Sequence, residues 1–198
     1  ITKNTIKNLN IKKIKTSIYP VILKSNIIHI FFINFIKAIY GYNIYNNKSF
    51  LINSLNKLIF PKNINIYEEP HIKKSVNSIP FDNDGISTKF KLIINNGYLK
   101  NYLLNYYFAQ KLNMETTGNA GGISNILIVD NNNISLENLI NKIHKGILIT
   151  ELFDKKENII TGDFLYKING YFINKSIIEH QLYKTTISGN FKNSFLNI

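Results

Sequence analysis

The stretch FKLIINNGYLKNYLL, from Phe90 to Leu104, says more about the fold than any other part of the sequence. Two apolar runs, Phe90–Ile94 and Tyr98–Leu104, flank Asn95-Asn96-Gly97. An Asn-Gly pair between two strand-like runs is a strong hairpin signal, because both residues tolerate the positive φ angles of a tight turn. The stretch therefore predicts a β-hairpin.

A second pattern of the same kind lies near the end of the chain. Asn169-Gly170 separates the apolar runs Phe164–Ile168 and Tyr171–Ile173, and it predicts another hairpin. Hairpins join antiparallel strands, and the chain also contains helical segments, so the predicted class is α+β. We expect a largely antiparallel, hairpin-rich sheet or partial barrel, with a buried central helix and a few short helices.

The central helix is predicted over Ile27–Tyr40, the most apolar stretch of the chain. Ser25 can cap its start, and Gly41 stands just past its end. The helix is apolar on nearly every face, which predicts a central, buried position. Asn34 and Lys37 interrupt the stretch, whereas about 20 uninterrupted apolar residues are needed to cross a bilayer. We therefore predict no transmembrane segment.

Shorter elements are predicted by apolar runs between turn residues. The run Ile18–Leu23 contains Pro20 and is expected at a sheet edge, because proline cannot donate a ladder hydrogen bond. A helix capped by Ser135 has one apolar face and is expected to end at Gly146. The other predictions are a strand around Ile64, Ile66 and Tyr67, a turn over Pro80–Gly85, a helix over Tyr106–Leu112, and strands over Ile126–Val129 and Ile147–Leu152.

The basic composition says little about partners. All 24 residues counted as Lys or Arg are Lys, and the net charge is +12. Ile, Asn and Lys make up nearly half of the chain, and their codons are AT-rich, so a biased genome explains the excess of Lys. Arg, the residue best suited to bidentate contacts with phosphate and guanine, is absent. A nucleic-acid partner is therefore not expected from the charge.

Several kinds of chemical site have no signal in the sequence. Because the chain has no Cys, disulfides, a thiol nucleophile and Cys-based metal sites are excluded, and a cytoplasmic location fits. The histidines lack metal-site spacing, and His29 is expected in the core; they are His29, His71, His144 and His180. The noticeable carboxylates are Glu68, Glu69, Asp82, Asp84, Glu151 and Asp163, and a general acid–base pair among them stays open, because spatial proximity is not visible in a sequence. Asp82, Asp84 and Asp163 have turn-like settings, in which bonding of the side chain to the backbone is the expected role.

The main candidate functional segment is a glycine-rich loop in a chain that is poor in glycine. Its residues are Thr117, Gly118, Asn119, Ala120, Gly121 and Gly122. It is not a Walker or dinucleotide-binding loop, because Ile123 and Ser124 lead into a strand and not into a helix. Glycine permits positive φ and close approach of another backbone. Two readings stay open: a tight turn in the sheet, or a loop that binds an extended peptide or a partner chain.

Eight segments, taken in this order and spacing, resemble the carboxy-terminal domain of the TldD/PmbA peptidase family, on the PmbA (TldE) side. The resemblance covers the chain from about Thr16 to its end. The segments are Ser49–Leu51, Glu68–His71, Pro80–Gly85, Thr117–Gly122, Thr150–Leu152, Thr161–Phe164, Asn169–Ile173 and Ile187–Asn190.

The resemblance implies a subunit of the cytoplasmic TldD–TldE metalloprotease, a heterodimer that degrades or trims small unfolded peptides. In that family the TldD subunit carries zinc on a helical HExxxH motif. The corresponding positions here are Ile33, Asn34 and Ala38, of which Ile and Ala cannot bind zinc and Asn cannot act as a general base. We therefore expect this chain to be the subunit without metal, with zinc on its TldD-type partner.

The resemblance also gives the expected domain limits. Residues 1–15 are a drifted linker or remnant, and residues 16–198 are the carboxy-terminal domain without its last segment. The amino-terminal region of the family is expected to be missing. Two alternative functions remain, a basic nucleic-acid-binding module and a decaying fragment with no function.

Overall fold

Two separate four-stranded sheets form the framework, each in its own compact unit. The computed structural model describes residues 11–130 and 134–198. The long-strand unit contains residues 11–33, 134–158 and 163–189. The loop unit contains residues 34–130, 159–162 and 190–198, so the boundary between the two falls inside the longest helix, after Ile33.

The described residues form eight strands and five helices. Every helix except the first is shorter than eight residues. In chain order the elements are β1 (Val21–Leu23), α1 (Ser25–Ile39), α2 (Gly41–Tyr45), β2 (Ile64–Glu68), β3 (Lys91–Asn95), β4 (Tyr98–Leu99), α3 (Tyr106–Lys111), β5 (Ile126–Asp130), α4 (Leu136–Lys142), β6 (Lys145–Glu157), β7 (Asp163–Asn174), β8 (Ile177–Asn190) and α5 (Phe191–Leu196).

In the long-strand unit the strand order is β1-β6-β7-β8. β1 pairs parallel with β6, with Val21 opposite Ile147, and β6 pairs antiparallel with β7. The first half of β7 alternates exposed and buried residues, as a sheet with one covered face requires. Phe31 of α1 packs edge-on against Phe164 and Tyr166 of β7, with ring centroids 5.5 and 6.1 Å apart.

In the loop unit the strand order is β4-β3-β2-β5, and every neighbouring pair is antiparallel. Phe35, Phe60 and Phe195 are fully buried in its core. The Phe35 ring lies edge-on to the other two, with centroids 5.1 and 5.9 Å away. Edge-on aromatic pairs of this kind add about 0.5–1.5 kcal/mol beyond the burial of their surface.

Most of the predicted architecture is confirmed. The class is α+β, the pairing is mostly antiparallel, and the two sheets are open rather than closed into a barrel. The first hairpin forms from β3 and β4, with positive φ at Asn96 and Gly97. β1, which follows Pro20, is an edge strand. In the described part of the chain, no helix is long and apolar enough to cross a membrane.

The second predicted hairpin, at Asn169-Gly170, is wrong. β7 continues through both residues, with Asn169 opposite Glu151 and Gly170 opposite Ile149. Gly170 keeps an extended backbone, and a Cβ atom there would overlap the carbonyl oxygen of Leu148. This glycine therefore serves the close approach of β6 and not a turn.

The turn that does join β7 to β8 contains Lys175 and Ser176, at φ 50° and 61°. Neither residue is a usual choice for positive φ, so the sequence gives no sign of this turn. One glycine expected to end a helix has another place: Gly146 lies within β6. Gly41 does stand just past the end of α1, and it begins α2.

The central helix is buried on most of its surface, but one side is open. Asn26, His29, Ile33 and Lys37 are exposed, and their spacing of three to four residues places them on one stripe. The expectation of His29 in the core is therefore wrong. Because Ile33 lies within this exposed stripe, the sequence predicted a helix that is apolar on nearly every face.

The segment predicted as a drifted linker, residues 1–15, lies largely outside the described residues. In its described part, Ile11 forms an isolated parallel bridge with Gln181 of β8.

Replacing Phe35 by Ala should lower the free energy of unfolding by about 3–5 kcal/mol, because the change leaves a cavity in a closed aromatic core. The matched control is Ile33→Ala, on the same helix but 47% exposed, which should cost much less. Urea unfolding followed by circular dichroism measures both. Equal losses for the two variants would contradict the assigned core.

The same measurement on the unmodified chain tests the decaying-fragment alternative. A packed aromatic core should give one cooperative unfolding transition for the loop unit. A gradual loss of signal with no transition would favour decay.

Candidate functional site

The Thr117–Gly122 loop lies between α3 and β5 in the loop unit. Asn119 and Ala120 are buried, whereas Gly121 is exposed. Thr117 is fixed at the start of the loop, where its Oγ1 accepts the Leu104 N–H at 2.6 Å. The loop thus has a buried base and an open tip, and the base contains most of the polar contacts.

Glu68, at the end of β2, is the main anchor of this base. Its side chain is 1% exposed. Oε1 accepts the backbone N–H and the hydroxyl of Ser124, both at 2.7 Å. Both carboxylate oxygens also accept from Asn119 Nδ2, at 3.2 and 3.0 Å. One carboxylate thereby connects the loop base to the residue that leads into β5.

Lys91, at the start of β3, neutralises the Glu68 charge. Its Nζ lies 2.7 Å from Glu68 Oε2 and donates to Asn119 Oδ1 at 3.1 Å, and its side chain is only 10% exposed. Asn119 Nδ2 also donates to the carbonyl of Gly122 at 3.2 Å. Buried charges require this kind of pairing, because an isolated ion loses its hydration.

These contacts set the protonation state of Glu68. Burial by itself raises the pKa of a carboxyl group, but the hydrogen bonds from Asn119, Lys91 and Ser124 outweigh it and hold the pKa of Glu68 below its ordinary value. Glu68 is therefore ionised at neutral pH. Because its oxygens are occupied by five donor contacts, it suits an anchoring role better than proton transfer.

A second buried carboxylate, Asp82, restrains the other side of the loop. Its Oδ2 accepts the Ala120 N–H, and its Oδ1 accepts those of Asp84 and Ile86, all at 2.9 Å. Asn83 N donates to the Ala120 carbonyl at 3.1 Å. The Pro80–Gly85 turn and the glycine-rich loop, two separate sequence motifs, are thus joined side by side.

Gly121 is required by conformation and by space. Its φ is +90°, a region that L side chains rarely adopt, and a Cβ there would overlap the Asn83 amide. A valine at this position would therefore distort the loop itself. If such a variant lost function, the loss could come from the distorted loop as well as from lost binding.

The open tip of the loop forms one wall of a cleft of about 310 Å³, which we call the glycine cleft. The opposite wall comes from the start of α2 and from α3. The lining residues are Tyr40, Gly41, Tyr42, Leu103, Asn105, Phe108, Asn119, Ala120, Gly121 and Gly122. Backbone groups and aromatic rings thus dominate a shallow surface, which suits an extended chain without strict sequence preference.

Tyr40 supplies a polar group to the cleft. Burial raises the pKa of its hydroxyl, the Ile123 N–H donates to it and lowers the pKa in part, and the charge of Glu68 adds to the rise. The hydroxyl therefore stays protonated well above neutral pH. In chemical terms Tyr40 can donate a hydrogen bond to a carbonyl oxygen in the cleft.

The three positions that the resemblance aligns with a zinc motif do not fit zinc. Ile33 is 47% exposed, whereas Asn34 and Ala38 are buried. Ala38 contributes its carbonyl to a hydrogen bond from Ser49 Oγ at 2.6 Å. The side chains of Ile and Ala have no atom that binds Zn²⁺. Among the described residues there is also no group of three or more His, Cys, Asp or Glu that could hold a metal ion.

The remaining carboxylates, like Glu68 and Asp82 themselves, are not among the residues that line the glycine cleft. Glu69 accepts the His71 N–H at 3.1 Å, a local turn contact. Glu151 is exposed in the long-strand unit, and Asp163 lies there too. The structure thus brings Glu68 and Asp82 to the glycine-rich loop, and Asp84 is joined to Asp82 through its backbone N–H.

Sequence reasoning missed Lys91 and the aromatic wall of the cleft. Lys91 lies inside the apolar run Phe90–Ile94, and a lysine within such a run is a usable signal for a buried partner. Tyr42 and Phe108 had no such signal, because aromatic residues are frequent in this sequence.

Replacing Glu68 by Gln should lower the free energy of unfolding by about 3–5 kcal/mol, because Lys91 is left with no counter-ion in a buried site. The matched control is Asp154→Asn, which breaks the exposed 2.6 Å pair with Lys167 and should change stability little. Chemical denaturation at neutral pH measures both. Equal effects would show that Glu68 is not an anchor.

The same pair predicts a pH dependence. A carboxyl whose pKa is lowered by folding stabilises the protein above the unfolded-state value, near 4.5, and this contribution is lost as the pH falls through the folded value. The stability advantage of the unmodified chain over Glu68→Gln should therefore be full at pH 7 and shrink below about pH 4.5. An advantage that grows on acidification would contradict the lowered pKa.

Comparisons with known proteins agree with this architecture. Residues 16–198 match the sequence model of the PmbA/TldA metallopeptidase C-terminal domain. The chain is 43% identical over 196 residues to a metalloprotease PmbA homolog from Buchnera aphidicola subsp. Baizongia pistaciae, covering 99% of this chain and 44% of that protein. It thus spans less than half the length of that relative.

Solved structures show the same fold. The crystal structure of a proposed DNA gyrase modulator from Thermotoga maritima superposes with a TM-score of 0.87 at 31% identity, over 99% of this chain and 47% of that one. TldE from Thermococcus kodakarensis gives 0.80 at 22% identity, over 98% and 46%, which supports the fold alone. The resemblance seen in the sequence is confirmed: the chain belongs to the PmbA/TldD metallopeptidase family, and residues 16–198 correspond to the family's C-terminal domain.

Proposed function

We propose that this chain provides the C-terminal domain of a PmbA/TldE-type subunit, which holds unfolded peptides for a zinc-bearing TldD-type partner in the cytoplasm. The observation that carries the proposal is the glycine cleft, whose loop wall is fixed by two buried carboxylates. A rigid wall of backbone groups can bind a peptide main chain, because the loop has little entropy left to lose.

The cleft residues have distinct roles in this proposal. Gly121 presents backbone at the open tip, and Tyr40 offers a hydroxyl donor for a peptide carbonyl. The rings of Tyr42 and Phe108, with centroids 5.9 Å apart, provide an apolar wall that accepts many side chains. Main-chain contacts combined with tolerant apolar contacts suit peptides of varied sequence.

Zinc belongs on the partner in this scheme, since Ile33, Asn34 and Ala38 cannot supply its ligands. Bound there, the metal would activate water and polarise the peptide carbonyl. This chain would orient the peptide and help to exclude water from it. The residues described here then act by positioning the substrate.

Co-purification with a recombinant TldD-type subunit, followed by metal analysis of each separated chain, tests the assignment. We expect a stable complex in which zinc follows the TldD-type subunit. Zinc bound by this chain alone in a one-to-one ratio would contradict the proposal, and so would the absence of any complex.

Replacing Tyr42 by Ala should raise the KM for peptide cleavage by the reconstituted pair several-fold while leaving kcat nearly unchanged, because one apolar wall of the cleft is lost. The matched control is Tyr45→Ala: Tyr45 lies on the same helix and its ring also contacts Phe108, but it does not line the cleft. A KM that rises equally for both variants, or for neither, would reject the peptide-binding role of the cleft.

A further inference from the structure

We propose that strand β5, at one edge of the loop-unit sheet, pairs with β5 of a second copy of this chain. β5 (Ile126–Asp130) is the outer strand in the order β4-β3-β2-β5. Its residues Leu127 and Ile128 are 39% and 42% exposed. This inference goes beyond the proposed function, because it needs neither the TldD-type partner nor a bound peptide.

Two residues of β5 turn their peptide groups away from the sheet. The Asn125 carbonyl accepts the Glu69 N–H at 2.9 Å, so the peptide groups of Asn125 point toward β2. Successive residues of a strand point these groups to alternate sides, so Leu127 also bonds toward β2. Ile126 and Ile128 therefore direct their N–H and C=O groups outward, where no hydrogen bond from another described segment reaches them. A row of donors and acceptors at this spacing fits another strand.

β5 also lacks the features that protect sheet edges. Such edges are normally kept short, bulged, or supplied with Lys or Pro. β1 and β4 have three and two residues, and β8 carries Lys184 and is met at Gln181 by the N–H of Lys12. β5 has five residues without Lys or Pro, and it pairs with β2 without a shift in register. Of the four sheet edges in the described chain, β5 is thus the one left open to pairing.

The distribution of lysine favours a second copy as the occupant. The net charge is +12, so two copies repel each other over most of their surface. Between Lys111 and Lys142, however, the sequence contains no Lys, and β5 lies in the middle of this segment. Two β5 strands can therefore meet without bringing the lysines of their own segments together.

The outward groups of β5 are complementary to themselves in one antiparallel register. With Leu127 opposite Leu127 of the second copy, Ile126 faces Ile128 of that copy. Each such pair exchanges two N–H···O=C bonds, so every outward peptide group of Ile126 and Ile128 is satisfied. Because these two residues are symmetric about Leu127, a two-fold axis at Leu127 generates the register, as a closed dimer requires.

The pairing also continues an apolar row on one face of the loop-unit sheet. Tyr67 lies opposite Leu92 on one side and opposite Leu127 on the other, so the three side chains share a face. The Phe90 ring adds to the row, with its centroid 5.5 Å from that of Tyr67. The row ends at the partly exposed Leu127. Leu127 of the second copy would extend it and remove both leucines from water.

Cysteine cross-linking tests the register, because the unmodified chain has no Cys. In Leu127→Cys the two thiols meet at a non-hydrogen-bonded pair, whose Cα atoms lie about 4.5 Å apart, a distance that a disulfide spans. Mild oxidation should convert most of this variant to a cross-linked dimer on a non-reducing gel. The matched control is Val129→Cys, on the same strand and face. Its two thiols would be separated by four residues, roughly 13 Å, and should not cross-link.

Sedimentation equilibrium of the unmodified chain alone measures the dimer directly. We expect the association to strengthen as the ionic strength rises from about 0.05 M to about 0.5 M, because salt screens the repulsion between two basic copies. Leu127→Lys should weaken the dimer at least about tenfold, since it places like charges opposite each other. Leu165→Lys adds the same charge at a 41% exposed position of β7 and should change the association little.

The results separate this inference from the proposed function. A chain that stays monomeric overturns the second-copy pairing, and so does equal cross-linking through positions 127 and 129 or normal association of Leu127→Lys. Complex formation with the TldD-type subunit is a separate measurement, so the proposed function stands or falls by its own test. If the chain is monomeric and Leu127→Lys instead raises the KM for peptide cleavage, the edge holds peptide and the pairing proposal is rejected.

Discussion

The shared burial of Glu68 and Lys91 is the constraint on which the candidate site depends. Neither ion would be stable alone at this depth, since each gives up its hydration and recovers it only from fixed partners. Asn119 completes the set, because its amide donates to Glu68 and its carbonyl oxygen accepts from Lys91. The ion pair between β2 and β3 therefore holds Asn119, and with it the base of the glycine-rich loop, in one position.

Asp82 is a second anchor, so the glycine-rich loop is restrained on both sides. Glu68 holds Asn119 and Ser124, and Asp82 holds Ala120, which lies between them. Gly121 is thereby left exposed at the surface between residues that are held in place, while the N–H and the carbonyl of Gly122 are both bonded to Asn119. A binding partner meets a preformed edge and does not have to order a mobile loop, which reduces the entropic cost of association.

The sequence predicted local structure well where the local signal matched the reason for the residue. At Asn95-Asn96-Gly97 the last two residues adopt the positive φ of a tight turn, and the hairpin is present. At Asn169-Gly170 the same letters occur, but the glycine is there because the neighbouring strand leaves no room for a side chain. A dipeptide signal cannot separate these two reasons, since the second depends on a strand about 20 residues away.

The candidate loop could be located from the sequence, but the way it is held could not. Three of the ten glycines stand between residues 118 and 122, which marks the segment in a glycine-poor chain. Its anchors, however, come from distant positions. Lys91 lies 23 residues from Glu68, and Asn119 lies 51 residues from it. No local period or spacing relates these three residues, and only the sheet register brings them together.

The high asparagine content of the chain can be related to its backbone conformation. Ten non-glycine residues in the described part of the chain have positive φ. Five of them are asparagines, namely Asn47, Asn53, Asn56, Asn96 and Asn113. Asparagine tolerates the left-handed region because its side chain bonds locally to the backbone. An Asn-rich sequence can therefore build many of its turns without glycine.

Asparagine cannot replace glycine where there is no room for a Cβ atom. At Gly97, Gly121 and Gly170 a Cβ would overlap other atoms. These three glycines thus mark places where two backbones, or a backbone and a fixed side chain, must touch.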